Sequence, residues 1–414
     1  MDLILLAVPF FLLLLAIELV WGLVRGHNTY RFADTLNSLS MGLLSRLRGF
    51  FFLGVGGSVW AAAAIASPIE RWPLDAAWAW IVAFVVYDLC YYWSHRMGHE
   101  VNLLWGSHVA HHQSEEYNLS TALRQTSTGL LTFAFYLPMF FAGVPAEMVV
   151  TVGSLNLIYQ FWVHTRHLPK LGPIEWLFVT PSNHRVHHAQ NERYLDRNYG
   201  GVFIVWDRLF GTWQEELADE PPVYGIRHAL RSWNPLWANL HVYRDCCVDA
   251  WRTARWQDKV GVWLRGPAWR PADLAASDPR PIFDPATFER FEPDITPRVR
   301  AYALVQFLLV LAAALPLLVF AKQLDGAITT LIAALSLAGL IAIGFWLEGR
   351  SQAGAFDALR LLATGASALA VAWIGAVPAV VALPFAGLAL VSALALPWIT
   401  REALPASDRL GAAT

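Results

Sequence analysis

Nine runs of apolar residues, too long or too uniform for the amphipathic helices of a water-soluble core, divide this chain and place it in a bilayer. The first, Leu3 to Val24, is long enough as a helix, at about 1.5 Å per residue, to cross a hydrocarbon layer of about 30 Å. It follows an acidic start, Met1-Asp2, and carries neither a basic n-region nor a small-residue cleavage site. It therefore reads as a retained transmembrane helix rather than a signal peptide. Further runs cover Gly49 to Ser67 and Ala76 to Trp93. Gly129 to Val144 and Val149 to Val163 are joined at Pro145 and read as a helical hairpin entering the membrane. The last four are Ala301 to Phe320, Ala327 to Leu347, Leu361 to Val377 and Val381 to Thr400, rich in Ala, Leu and Gly and free of histidine. The expected fold class is all-α: a polytopic membrane protein in which the N-terminal helices (1–75) precede a catalytic domain (76–300) and a C-terminal transmembrane module (301–414).

Composition agrees and narrows the class. Of 414 residues, 56% are hydrophobic and 15% charged, with a mean hydropathy of +0.41, against roughly a quarter charged in a soluble domain. A formal charge of −2 offers no basic field for nucleic acid. The three cysteines, Cys90, Cys246 and Cys247, form neither a disulfide framework nor a thiolate zinc site. Between His164 and Arg300 the sequence turns polar and Pro-punctuated. There, Trp237, Trp251, Trp256 and Trp263 alternate with Arg244, Arg252, Arg255 and Lys259, a composition suited to the headgroup level. Arg25 and Arg31 after the first helix place that loop in the cytoplasm, and Arg350, Arg360, Arg401 and Arg409 fall on the same side when the spans are counted in alternation. The histidine-bearing ends then face the cytoplasm of a bacterial inner membrane or an endoplasmic reticulum.

The histidines carry the chemistry. Most of the 13 are grouped: His95/His99, His108/His111/His112, His164/His167 and His184/His187/His188. On a helix, positions i, i+3 and i+4 share one face, so HxxxH and two HxxHH motifs project their imidazoles together. Eight imidazoles, His95, His99, His108, His111, His112, His184, His187 and His188, exceed the needs of one ion with open positions. Two ions with three or four histidines each fit the count, and His164 is a candidate ninth ligand. Imidazole suits Fe, Zn, Cu and Ni, so ligand type leaves the element open. Isolated histidines such as His27, His228 and His241 read as ordinary surface or core residues.

The order HxxxH, HxxHH, HxxHH beside membrane helices resembles the fatty acid hydroxylase and sterol desaturase superfamily of membrane diiron enzymes. Three longer strings, His111 to Gln125, Thr180 to His188 and Asn198 to Thr212, are similar to the alkylglycerol monooxygenase branch. That resemblance implies two iron ions on the histidines above, O2 as co-substrate, a lipid substrate in the bilayer and a reductant, tetrahydrobiopterin or another external electron donor. It implies hydroxylation of a lipid C–H bond, with cleavage of glyceryl ethers as one outcome. A fatty-acid, sterol or carotenoid hydroxylase or desaturase is the alternative within the same chemistry, and a metal or proton transporter the alternative outside it. It also marks Glu100, directly after HxxxH, as a functional glutamate, bridging two irons or fixing a ligand's tautomer. Asn183 stands where the branch often has a further histidine. Asp88, two turns before His95 in a membrane helix, is expected to pair with an imidazole or Arg185. Asp207 and Arg208 are candidates to support the site. Asn118, Arg124 and Gln125 are candidates to face the headgroup or cofactor.

Overall fold

The computed structural model describes residues 3–48, 55–129, 131–280, 283–320 and 324–403. The described chain is helical, relieved by two isolated antiparallel bridges, Phe178 with Phe203 and Ala189 with Tyr224. The helices are α1 (Leu3–Val24), α2 (Phe32–Leu47), α3 (Val55–Ala66), α4 (Ala77–Glu100), α5 (Asn102–Trp105), α6 (Val109–His112), α7 (Leu119–Leu123), α8 (Leu137–Phe141), α9 (Ala146–Trp162), α10 (Pro181–His187), α11 (Val205–Phe210), α12 (Pro235–Arg252), α13 (Trp256–Leu264), α14 (Ala272–Ser277), α15 (Pro297–Phe320), α16 (Gly326–Leu347), α17 (Ala353–Trp373) and α18 (Ala379–Ala403). Two compact units divide them. One comprises Met1–Ser38, Gly54–Leu230 and Asn239–Arg290; the other comprises Leu39–Leu53, Arg231–Ala238 and Phe291–Thr414.

Among the described residues, five helices are long and apolar enough to span a bilayer: α1 and α15 to α18. The protein is multi-pass, but among the described residues not all nine apolar runs form helices long and apolar enough to span. Residues 49–54 of the second run and Arg409 lie outside the described residues. The described part of that run, α3, has 12 residues, about 18 Å of helix against about 30 Å of hydrocarbon. In the expected hairpin only the second arm is one helix, α9. The first arm breaks into a 3-10 turn, Thr132–Tyr136, and the short α8, which carries Pro138 in its first turn. It ends at Gly143 with φ 81°, where a Cβ would sit 2.5 Å from the Glu70 carbonyl oxygen. α4 is long enough, at 24 residues, but Asp88 interrupts its apolar run and the polar His95, Arg96 and His99 occupy its C-terminal turns. Counting sides by alternation through nine spans therefore has five described candidate spans to rest on.

In the first unit α4 and α9 form the frame of the site. Ala79 and Ala83 on α4 pack with Met148, Val149 and Val152 on α9 in one buried cluster. A Cβ on Gly153 would lie 2.7 Å from the Tyr87 hydroxyl, so glycine permits this approach. α1 joins through Phe11, which stacks on Phe161 of α9 at 4.1 Å between ring centroids.

The second unit is less apolar than its sequence implied. α17 starts at Ala353, ahead of the expected Leu361, because Asp357 and Arg360 are buried within it rather than ending it. Asp357 accepts from the Tyr302 hydroxyl at 2.7 Å, from Trp346 Nε1 at 2.9 Å and from Arg360 Nε at 2.9 Å. Arg360 also reaches Gln306 Oε1 at 2.7 Å, whose amide donates to Ser392 at 3.0 Å. Arg360 is thus an internal ion-pair partner and no marker of the cytoplasmic side.

Candidate metal centre

The three histidine motifs sit where helices stop. His95 and His99 occupy the last turns of α4, which ends as Val101 becomes extended. α6 is a single turn that carries His111 and His112 directly after His108. α10 begins with Pro181 in its first turn, and the Thr180 N–H donates to Asn183 Oδ1 at 3.2 Å. Asn183, where a histidine was thinkable, therefore starts the helix that presents His184, His187 and His188.

These elements bring nine imidazoles into two groups. His95, His99, His108, His112 and His187 form one; His111, His164, His184 and His188 form the other, with the ligand atoms of each group within 4.8 Å of one another. Eight motif histidines and His164 are all present. His167 is outside both groups and packs edge-on against His27.

Ring tautomers show what these groups can hold. His111 Nδ1 lies 2.9 Å from the Arg124 carbonyl oxygen, and His164 Nδ1 lies 2.8 Å from that of Gln160. A carbonyl only accepts, so both Nδ1 atoms carry the proton. Burial pushes the His111 pKa down to about 4 and that of His164 well below its usual value, so both rings are neutral. Each Nε2 is then a bare lone pair, yet the two Nε2 atoms face each other at 3.4 Å. His184 Nε2 stands 3.0 Å from His164 Nε2 and 3.2 Å from His188 Nε2. In the other group, His95 Nδ1 donates to the Tyr199 carbonyl at 2.7 Å, and His95 Nε2 faces His108 Nε2 at 3.0 Å. His108 Nε2 in turn lies 3.0 Å from His112 Nε2. His187 Nδ1 donates to the Arg197 carbonyl at 3.0 Å, and its buried Nε2 has no hydrogen-bond partner, as is true of His99 Nε2. Lone pairs converge only on a cation. Nitrogens bound to one transition-metal ion at about 2.0–2.1 Å stand about 3 Å apart, so the residues present fit one ion in each group.

The carboxylates are placed differently from the sequence expectation. Asp88 touches neither an imidazole nor Arg185. It is fully buried and accepts from Asn156 Nδ2 at 2.6 Å, the Val202 and Phe203 N–H groups at 2.8 and 2.9 Å, and Trp206 Nε1 at 3.0 Å. This fastens α4 to α9 and to the strand-like segment after Gly201. Glu100 accepts from Arg96 Nε at 2.9 Å and belongs to neither histidine group. The carboxylate facing a ring nitrogen is instead Asp196, 3.7 Å from His99 Nδ1. Arg185 grips Glu216 with two hydrogen bonds, at 2.8 and 2.7 Å, and the Thr165 and Leu168 carbonyls.

Asp207 does support the site, through the backbone. It accepts from the Tyr199 and Gly200 N–H groups at 2.7 and 2.8 Å and from Thr212 Oγ1 at 2.7 Å, and burial raises its pKa to about 6. The same Tyr199 holds His95 through its carbonyl. Arg208 does not take part; it stacks between Trp176 and Trp213. Asn118 caps α7 and donates to the Thr29 carbonyl, Arg124 reaches Ser38 through Nε, and Gln125 bonds the Ala122 carbonyl. Sequence reasoning missed Tyr117, whose ring stacks on His164 at 5.6 Å. It also gave no role to Glu18 of α1, which accepts from the Leu119 N–H at 2.8 Å, from Thr165 at 2.5 Å and from Tyr30.

This centre falls in a recognisable protein class. The family model for fatty acid hydroxylase matches residues 80–212, which contain all nine histidines of the two groups. The alkylglycerol monooxygenase of Homo sapiens is 36% identical over 86% of this chain and 80% of its own length, and that of Danio rerio 35% identical over 86% and 79%. The ornithine lipid hydroxylase of Rhizobium tropici is 26% identical over 44% of this chain and 58% of its own. No solved structure matches the chain. The chain belongs to the fatty acid hydroxylase family and, within it, to the group that contains the alkylglycerol monooxygenases.

Proposed function

We propose that this protein is a membrane-embedded lipid monooxygenase that hydroxylates the carbon next to the ether oxygen of an alkylglycerol. The observation that carries the metal part of this reading is the pair of protonated Nδ1 atoms on His111 and His164, which leaves two lone pairs face to face. Iron in both groups would supply activation of O2, with two electrons from an external donor such as tetrahydrobiopterin and two from the C–H bond, so that one oxygen atom enters the substrate and the other leaves as water. The substrate part rests on the likeness to alkylglycerol monooxygenases over most of both chains.

The chain's own residues do the positioning. Backbone carbonyls of Tyr199, Arg124, Gln160 and Arg197 fix the tautomers of His95, His111, His164 and His187, so that lone pairs point inward without rearrangement. Eight of the nine rings are buried, which keeps bulk water from the reacting atoms. Glu18 ties the spanning helix α1 to Leu119 and to Thr165, next to His164, so the lipid-facing helix and the metal ligands move as one piece. The hydroxylated ether carbon is a hemiacetal and falls apart to an aldehyde and a glycerol derivative. Exposed Arg25 at the end of α1 supports a cytoplasmic placement of that end; Arg31 is engaged by Glu115 and Glu116 instead.

The test is oxygen uptake by iron-loaded protein in lipid nanodiscs with an alkylglycerol and tetrahydrobiopterin. Aldehyde formed in proportion to oxygen consumed, with close to two irons per chain, is expected. Iron-loaded protein that hydroxylates a fatty acyl chain and leaves the ether intact would transfer the reading to the alternative substrate class.

A further inference from the structure

The two stretches on either side of α10, residues 172–179 and 202–210, lie outside the five candidate spans, yet together they bare large apolar side chains. Ile174, Trp176, Leu177, Leu209 and Phe210 are exposed, Trp176 by 69% and Leu209 by 66%. The stretches run side by side: Phe178 bridges Phe203, the Val179 N–H donates to the Val202 carbonyl at 2.8 Å, and the Ile204 N–H donates to the Leu177 carbonyl at 3.0 Å.

This pair descends along α4. The Phe210 ring lies 5.0 Å from that of Trp93, Trp206 Nε1 donates to Asp88 at 3.0 Å, and Phe203 meets Phe84 edge-on at 6.1 Å. From Trp93 to Phe84 the axis of α4 runs about 13 Å, close to half of a hydrocarbon layer of roughly 30 Å. α9 repeats the register, since the Tyr159 hydroxyl donates to the Val179 carbonyl at 2.7 Å and Val163 is buried with Val179 and Ile204. The outer faces of both helices are bare and apolar, with Ile81 and Val82 exposed on α4 and Val150 and Leu155 on α9. The exposed face of the pair continues them.

Irregular backbone sits at hydrocarbon depth only where protein satisfies its polar groups. Here Asp88 does so, accepting the Val202 and Phe203 N–H groups at 2.8 and 2.9 Å. A Cβ on Gly201 would lie 2.8 Å from Asp88 Oδ1, so glycine lets the turn close on the carboxylate. A carboxylate inside an apolar helix is costly unless it is paired, and this turn supplies the donors. The charged side chains within the two stretches are all engaged. Glu175 accepts from the Thr180 and Ser182 hydroxyls, Asp207 from Tyr199, Gly200 and Thr212, and Arg208 lies over Trp176 and Trp213.

At the upper end charges return. Arg96 lies over Trp93, and Lys170 pairs with Glu215 at 2.6 Å. Lys170 follows His167, which packs on His27 just past the end of the spanning α1. Trp with Arg and Lys at the level where a span ends is the composition of a headgroup belt.

We propose that residues 172–179 and 202–210 form a re-entrant hairpin that enters the bilayer without crossing it. Its tip lies among acyl chains against α4 and α9, its rim of Trp93, Trp176 and Arg208 lies in the headgroup layer, and Asp88 anchors its backbone. Lipid covers the exposed face because that face has no free charge, continues the apolar faces of two helices and is bounded by cations. The hairpin rests on packing alone and holds whatever reaction the metal centre performs.

The test places p-benzoylphenylalanine at position 177 or 209, where leucine is exposed, or at Glu192, 87% exposed, as the aqueous control. The full-length proteins, as mixtures of two differently tagged copies, are irradiated in phosphatidylcholine vesicles. Positions 177 and 209 are expected to give at least tenfold more acyl-chain adduct by mass spectrometry than position 192, with the unfolding midpoint unchanged. Adduct at the control level from either position puts the hairpin in water and overturns the proposal. Cross-links between the two tagged copies in place of lipid adducts overturn it as well, by assigning the face to a second copy of the chain.

Discussion

The two units each bury a polar cluster, and the clusters are satisfied in opposite ways. In the second unit Asp357, Arg360, Tyr302, Trp346, Gln306 and Ser392 form a closed network in which donors meet acceptors of the same bundle. In the first unit Nε2 lone pairs of His111 and His164 face one another, and His99 and His187 have buried nitrogens without a partner. Desolvating either cluster costs several kcal/mol unless it is compensated. The Asp357 cluster is compensated by protein; the imidazoles are left for something that is not. Among helical elements of similar composition, the direction of hydrogen-bond donors separates a structural polar core from a reactive one.

The largest effect that tests this difference is on activity. His164→Ala removes one ligand and the stack that Tyr117 makes, and is expected to lower ether cleavage at least a thousandfold and to cost one metal equivalent by elemental analysis. Two equivalents retained in that variant would remove His164 from the ligand set. Asp357→Ala should show the reverse pattern. It leaves Arg360 buried without its counter-ion and is expected to cost about 3–5 kcal/mol, read as a lowered unfolding midpoint in detergent. Its folded fraction is expected to keep both metals. If Asp357→Ala instead lost metal without losing stability, the two clusters would not be separate in role.

Acid gives a smaller, graded contrast. The His111 pKa, about 4 in the folded protein, lies below its unfolded value of about 6.5. The unfolded chain therefore takes up the proton first as pH falls. Metal-free protein should lose about 1.4 kcal/mol per pH unit for this imidazole between pH 6.5 and 4, and show no such slope above 6.5. His184, His187 and His188, whose values burial also lowers, add to the slope. Urea unfolding of metal-free protein at pH 7, 6 and 5 measures it; a flat profile would mean that the rings are not held neutral by burial.

The histidine centre was legible in the sequence because its information is local. HxxxH and HxxHH encode a shared helical face in a few letters, and their number already demanded two ions. His164 was ambiguous, since a lone histidine after an apolar run has no spacing to declare it, and only α9 ending beside α10 settles its place. The tautomer-fixing carbonyls of Tyr199, Arg124, Gln160 and Arg197 could not be read at all, because a backbone oxygen has no letter. Asp88 failed for the related reason that its partners, Asn156, Val202, Phe203 and Trp206, are distant in sequence and two of them are backbone N–H groups. The C-terminal unit misled in the other direction: Arg360 stood as a marker at the edge of a span starting at Leu361, and the bundle closes over it and over Asp357.

Glu100 gives the smallest expected effect and the sharpest division between local pattern and geometry. Its position after HxxxH marked it as a functional carboxylate, but its side chain lies on Arg96 one turn back and is 35% exposed. A half-exposed i,i+4 ion pair contributes less than about 1 kcal/mol. Glu100→Gln should therefore leave the unfolding midpoint nearly unchanged and retain both metal equivalents, because the five-histidine group closes without it. Loss of one equivalent in that variant would show that Glu100 leaves Arg96 when metal enters and serves as a ligand. The same loss in Asp196→Asn, with Glu100→Gln unaffected, would place the carboxylate function on the residue that faces His99.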